Sequence, residues 1–167
     1  RDLHSFPTRR SSDLVTAQTM QIRNRPCRIY GEPHAEYLLL QMTGEHEVQS
    51  MDDEVAAIAQ SAHQFLFAAI PVENWNDALS PWKSPAVWGK QGFGGNAADT
   101  LRFLTEQIIP SLKQQYPLPE NVKIILGGYS LAGLFALWAS TQANLFCGIA
   151  AASPSVWFPG WMEFEQQ

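Results

Sequence analysis

The stretch Gly128-Tyr129-Ser130-Leu131-Ala132-Gly133 constrains the fold of this 167-residue chain more than any other. It joins an apolar run at 122–126, which reads as a buried strand, to an amphipathic helical pattern that starts at Leu131. A strand that turns straight into a helix throws the intervening side chain out of the bend, and the cramped backbone demands small neighbours. Gly128, Ala132 and Gly133 meet that demand on either side of Ser130. The pattern therefore expects Ser130 Oγ exposed at the carboxyl end of a sheet. The Leu131 N–H, at the helix start, is expected to point at the place where an oxyanion forms.

Strand and helix patterns alternate along the rest of the chain. Residues 27–30 and 37–42 read as two strands joined by the turn Gly31-Glu32-Pro33, an antiparallel hairpin at a sheet edge. Ser50 is expected to cap a helix running to about Ala62, with Asp53 at N3 and Met51, Val55, Ile58 and Ala62 on one face. The run Phe65–Val72 is apolar throughout, as a central parallel strand requires. A loop rich in Pro, Gly and Trp covers 73–95, and Asn96 then caps a helix with an apolar stripe of Ala97, Leu101, Leu104, Ile108 and Leu112. Pro110 should kink or end that helix. One further strand, Phe146–Ala152, follows the helix that begins at Leu131. This order predicts the α/β class, a mostly parallel sheet wrapped by helices.

Two stretches resemble a known group: Leu126-Gly127-Gly128-Tyr129-Ser130-Leu131-Ala132-Gly133-Leu134-Phe135-Ala136-Leu137-Trp138 and Ala150-Ala151-Ala152-Ser153-Pro154-Ser155-Val156-Trp157. On them the chain is similar to the α/β-hydrolase superfamily, and within it to the putative-esterase group related to esterase D and enterochelin esterase. Looser similarity runs through Asn74-Trp75-Asn76-Asp77 and Leu79-Ser80-Pro81-Trp82, and the whole covers about 19–162. The resemblance implies a three-layer α/β-hydrolase fold and a serine esterase acting on a small-molecule ester through an acyl-enzyme on Ser130. Acyl transfer to an alcohol, peptide cleavage and a non-catalytic binding module on the same fold are the alternatives.

In this fold the second oxyanion donor comes from the loop after the third strand. Counting Phe65–Val72 as that strand assigns the donor to Glu73-Asn74-Trp75, through the amide of Asn74 or Trp75. Of six tryptophans, Trp138 reads as core, while Trp75, Trp82, Trp88, Trp157 and Trp161 lie in loops on the rim of Ser130. Trp82 and Trp157 are the candidates for lining a substrate pocket, against the plainer role of burying loop surface.

The two ends of the chain carry separate expectations. The first fourteen residues hold three of the eleven basic residues and no apolar periodicity. They read as a polar tail, resemble a translated sequencing adapter, and are set apart from 15–167, the N-terminal part of a single α/β-hydrolase domain. Only 37 residues follow Ser130, every histidine precedes it, and no aspartate comes after it. The triad order of the fold is nucleophile, acid, histidine. The expectation is a chain truncated at its C-terminus, inactive by itself and prone to aggregate.

Composition excludes other classes. Net charge is −5 with no basic run outside the tail, which gives nucleic-acid binding no electrostatic support. No apolar stretch reaches the roughly 18 residues of a membrane span. Cys27 and Cys147 read as buried free thiols suited to a reducing cytoplasm. No metal-ligand spacing appears, and Gly92-Phe93-Gly94-Gly95-Asn96-Ala97 follows a long loop instead of a strand, so no cofactor is expected. His34 and His46 read as surface residues and His63 as a helix C-terminal cap.

Overall fold

A computed structural model describes residues 17–47 and 50–166; the tail assigned to 1–14 lies outside the described residues. The described residues begin with β1 (Gln18–Ile22), β2 (Arg25–Gly31), β3 (Tyr37–Gly44), α1 (Met51–Ala59) and β4 (Phe65–Val72). The next segment holds α2 (Trp75–Leu79) and the two-residue strands β5 (Lys83–Ser84) and β6 (Phe93–Gly94). A long helical stretch follows, α3 (Ala97–Phe103), a π turn (Leu104–Ile108) and α4 (Ile109–Gln115). The chain then runs through β7 (Lys123–Tyr129), α5 (Leu131–Gln142), β8 (Phe146–Ala152) and α6 (Trp161–Glu165).

The main sheet has the order β1-β2-β4-β3-β7-β8. Its first two pairings are antiparallel and the other three parallel. Period-two alternation sorts the central strands between two cores. Leu38, Leu40, Met42, Leu66, Ala68 and Ile70 pack with α3, α4 and α5, whereas Phe65, Phe67, Ala69 and Leu39 meet Met51, Val55 and Ala59 of α1. Helices thus cover both faces, and the three-layer α/β architecture is present. At the margin of the α1 layer, Arg28 Nη2 donates to both carboxylate oxygens of Asp52, at 2.9 and 3.0 Å, and Tyr30 Oη donates to Oδ1 at 2.8 Å. Burial, and then this bond, push the Tyr30 phenol above its ordinary pKa.

Several local expectations are corrected. Residues 27–30 and 37–42 do not form a hairpin, because β4 lies between β2 and β3. Gly31, at φ 103°, turns the chain where any Cβ would run into the Phe65 carbonyl oxygen. The Glu36 and Tyr37 amides then both donate to Gln64 O, so the connection wraps around the start of β4. Burial explains the choice: a strand apolar on both faces needs neighbours on both edges, and β4 is buried at every residue. The hairpin partner of β2 is β1, an edge strand in which only Ile22 is buried and which leaves little pattern to read.

α1 ends at Ala59 with Gln60 as its C-cap, so the exposed His63 lies beyond its last turn and caps nothing there. Ser50 and Asn96 occupy the N-cap positions, but neither side chain makes a capping bond; Ser50 Oγ donates to Glu47 O instead, at 2.8 Å. Pro110 does not end the helical stretch. It stands in the first turn of α4, directly after Ile109, whose N–H to Leu104 O closes the π turn, and the chain stays helical to Gln115. α5 is not amphipathic: Leu131 through Ala136, Trp138 and Ala139 are all buried. Cys27 is buried, but Cys147 is exposed on β8, which with β1 forms the edges of the sheet among the described residues.

Candidate active site

β7 and α5 are separated by a single residue, Ser130, with φ 56° and ψ −119°. A side chain in that region of backbone space costs roughly 1–3 kcal/mol and persists only where its surroundings impose it. Here three main-chain bonds impose it. Ser130 N–H donates to Ala152 O at 3.0 Å, and Ser130 O accepts from Leu134 N at 3.1 Å and from Ser155 N at 3.0 Å. Gly128 lets the strand pass against the helix: a Cβ there would lie 2.5 Å from both the carbonyl carbon and the Cβ of Ala132. The bend leaves Ser130 partly exposed between an exposed Tyr129 and a buried Leu131. Leu131 is the first residue of α5, and a first-turn N–H has no partner inside its own helix.

The hydroxyl of Ser130 is not alone. Its Oγ lies 3.1 Å from Oγ of Ser155, a residue only 1% exposed. Spacing offered no sign of this partner, which reaches Ser130 only because the chain doubles back after β8.

The assignment of the second oxyanion donor to Asn74 or Trp75 rested on counting β4 as the third strand. With β1 present it is the fourth, and the third is β3. β3 is the direct neighbour of β7, whereas β4 stands one strand further away. The respective distances are about 5 and 10 Å at the usual strand spacing. Gln41 pairs with Gly127, and continuing in step sets Gly44 level with Ser130. Of the two connections, the one after β3, Gly44-Glu45-His46-Glu47, therefore starts nearer the bend than the one after β4; in it Gly44 N–H donates to Glu47 Oε2 at 3.1 Å. Asn74, left-handed at φ 51° and exposed, starts α2, and Trp75 packs against the main core. Both loops line one open cleft of about 690 Å³ with Val72 and Glu73.

Topology also sorts the histidines. His34 precedes β3 and His63 precedes β4, which places both at the rim opposite Ser130. His46 follows β3 and lies on the rim of Ser130, exposed as expected. Among the described residues no group of three His, Cys, Asp or Glu side chains is placed to hold a metal ion. No helix among them is long and apolar enough to cross a membrane.

The two candidate pocket tryptophans differ in their surroundings. Trp82 Nε1 donates to Pro159 O at 2.8 Å, and its ring packs on Phe158 and Phe164, each 5.6 Å away. It ties the loop after α2 to the segment after β8. Trp157 is 46% exposed and meets the 69% exposed Trp88 edge to face at 4.5 Å. Trp138 and Trp161 are core residues.

A mixed sheet in this order, with a strained serine at the strand-to-helix bend of its inner parallel strand, defines an α/β-hydrolase. More narrowly, the chain belongs to the esterase family described as "Putative esterase", whose model matches residues 43–166. Among solved structures it is similar to an IroE-like serine hydrolase from Shewanella oneidensis, with TM-score 0.77 and 20% identity over 90% of this chain and 55% of that one. It is also similar to the siderophore hydrolase EstA from Aspergillus nidulans, with TM-score 0.65 and 19% identity over 99% of this chain and 66% of that one. The BES protein from Bacillus cereus gives TM-score 0.64 and 18% identity over 99% and 70%. At such identities the likeness establishes the fold. The chain spans little more than half the length of the Shewanella protein. No curated protein sequence matches it.

Proposed function

We propose that this chain carries the nucleophile of a serine carboxylic-ester hydrolase, and that Ser130 is that nucleophile. The observation that supports this reading best is the backbone of Ser130 itself, held at φ 56° between β7 and α5 at the carboxyl rim of the parallel strands. Strained backbone of this kind clusters at active sites, and here it falls on a serine between a strand and a helix. Ser130 Oγ attacks the ester carbonyl carbon while its proton passes to a base. The tetrahedral oxyanion is held by the Leu131 amide and by an amide of the connection after β3, the loop beside the bend. Collapse expels the alcohol, leaves the acyl group on Ser130, and water then releases the acid. Trp157 with Trp88 is the apolar surface we assign to a small-molecule ester, and Trp82 packs on Phe158, whose ring contacts run to Trp157 through Phe93.

The test is labelling of the full-length protein by a fluorophosphonate probe. Mass spectrometry is expected to find the adduct on Ser130, and Ser130→Ala to abolish it. An adduct elsewhere, or one that survives the substitution, overturns the reading.

A further inference from the structure

The Ser130–Ser155 hydroxyl pair is the feature of the site that the reaction above leaves unused. Ser155 is 1% exposed, and among the described residues its one hydrogen-bonded side-chain partner is Ser130, at 3.1 Å. A buried hydroxyl with a single partner keeps that bond, since losing it leaves a desolvated polar group. The route that brings Ser155 here is tightly built. Ser153 takes a left-handed φ of 43° directly after β8. Pro154 sits against the first turn of α5, its Cα 3.2 Å from where a Cβ on Gly133 would stand. Ser155 N–H then donates to Ser130 O at 3.0 Å, and Phe158 N–H closes back on Ser155 O at 3.0 Å. Two residues thus meet twice, backbone to backbone and hydroxyl to hydroxyl.

We propose that Ser155 is a positioning residue for the Ser130 nucleophile, an inference that rests on the reading of Ser130 given above. A serine hydroxyl has one proton and two lone pairs. When Ser155 donates its proton to Ser130 Oγ, the Ser130 proton is free to face a base and the Oγ rotamer is fixed for attack. In the acylation step the Ser130 O–H bond breaks, its proton goes to the base, and the C–O bond to the substrate forms. Ser155 keeps its own proton throughout and is neither acid nor base. Once Ser130 is acylated its Oγ is an ester oxygen and a poor acceptor, so the pair is strongest before attack.

The test compares Ser155→Ala and Ser155→Thr in the full-length protein, by fluorophosphonate labelling rate and by steady-state hydrolysis of p-nitrophenyl acetate. Ser155→Ala is expected to slow labelling and kcat about tenfold, the loss of one hydrogen bond, with KM within about twofold. Ser155→Thr keeps the hydroxyl and is expected to recover most of the rate. Far-ultraviolet circular dichroism and Tm are read on both variants, and a Thr variant that fails to fold is replaced by Ser155→Cys, which keeps a weaker donor and gives an intermediate rate. Full-rate labelling of Ser155→Ala overturns the proposal and leaves the Ser130 reading intact. So does a slow Ala variant whose rate a folded Thr or Cys variant does not raise. Absence of a Ser130 adduct in the unaltered protein overturns both.

Discussion

Gly128 and Ala132 approach so closely that a methyl group on the first would overlap the main chain of the second, at 2.5 Å. The contact is set by backbone atoms, which cannot swing away as a side-chain end can. Gly128→Ala is therefore expected to push α5 off β7, at a cost of about 1–3 kcal/mol and a lower Tm. The same variant should lose Ser130 labelling well before it unfolds.

Strain at Ser130 gives a second expectation. Ser130→Ala and Ser130→Gly both remove the hydroxyl, but only glycine relieves the left-handed backbone. The glycine variant is expected to be the more stable of the two by about 1 kcal/mol, read as a higher urea midpoint. Equal midpoints would show that the bend is relaxed.

Trp82 and Trp157 should separate cleanly on mutation. Trp82→Ala removes the bond to Pro159 and the packing on Phe158 and Phe164, and is expected to cost about 3 kcal/mol. Trp157→Ala, at a half-exposed site, is expected to leave Tm within about 2 °C and to raise KM for aromatic esters. A large stability loss at Trp157 would assign it to scaffold.

The two thiols differ in reach. A thiol reagent is expected to modify exposed Cys147 in the folded protein at once and Cys27 only on unfolding. Burial pushes the Cys27 thiol up to about 11. Its folded form then holds a proton that the unfolded chain has lost, so its stabilising contribution is whole below about pH 9 and fades between pH 9 and 11. Tm should fall across that window, and less so in Cys27→Ala. Tyr30 and Tyr116, raised likewise by burial, extend the fall above about pH 10.

On the face that holds α1, an apolar trough of about 780 Å³ runs over β3, β7 and β8, lined by residues such as Leu39, Ile125 and Ile149. β8 also has no strand beyond it among the described residues. The chain by itself is expected to bind a hydrophobic dye and self-associate, and Cys147→Lys, a charge on that open edge, to lessen the association. A soluble, dye-free monomer with a sharp melt would contradict this.

Much of this was legible in sequence, for local reasons. The helix after Ser130 and the bounds of β4 and β8 followed from apolar runs and small residues that depend on near neighbours. What was missed depended on distant ones. β1 is an exposed edge strand with one buried residue, and missing it shifted the strand count, so that β4 was numbered third instead of fourth. The insertion of β4 between β2 and β3 is a matter of which strand must be covered twice, which no turn motif encodes. Ser155 reaches Ser130 across 25 positions by a loop whose course is set by packing on α5.

The bond from Trp82 to Pro159 joins two excursions of the chain that would otherwise move independently. Fastened at that point, the two segments behave as one piece. Losing that fastening would free each segment to move separately.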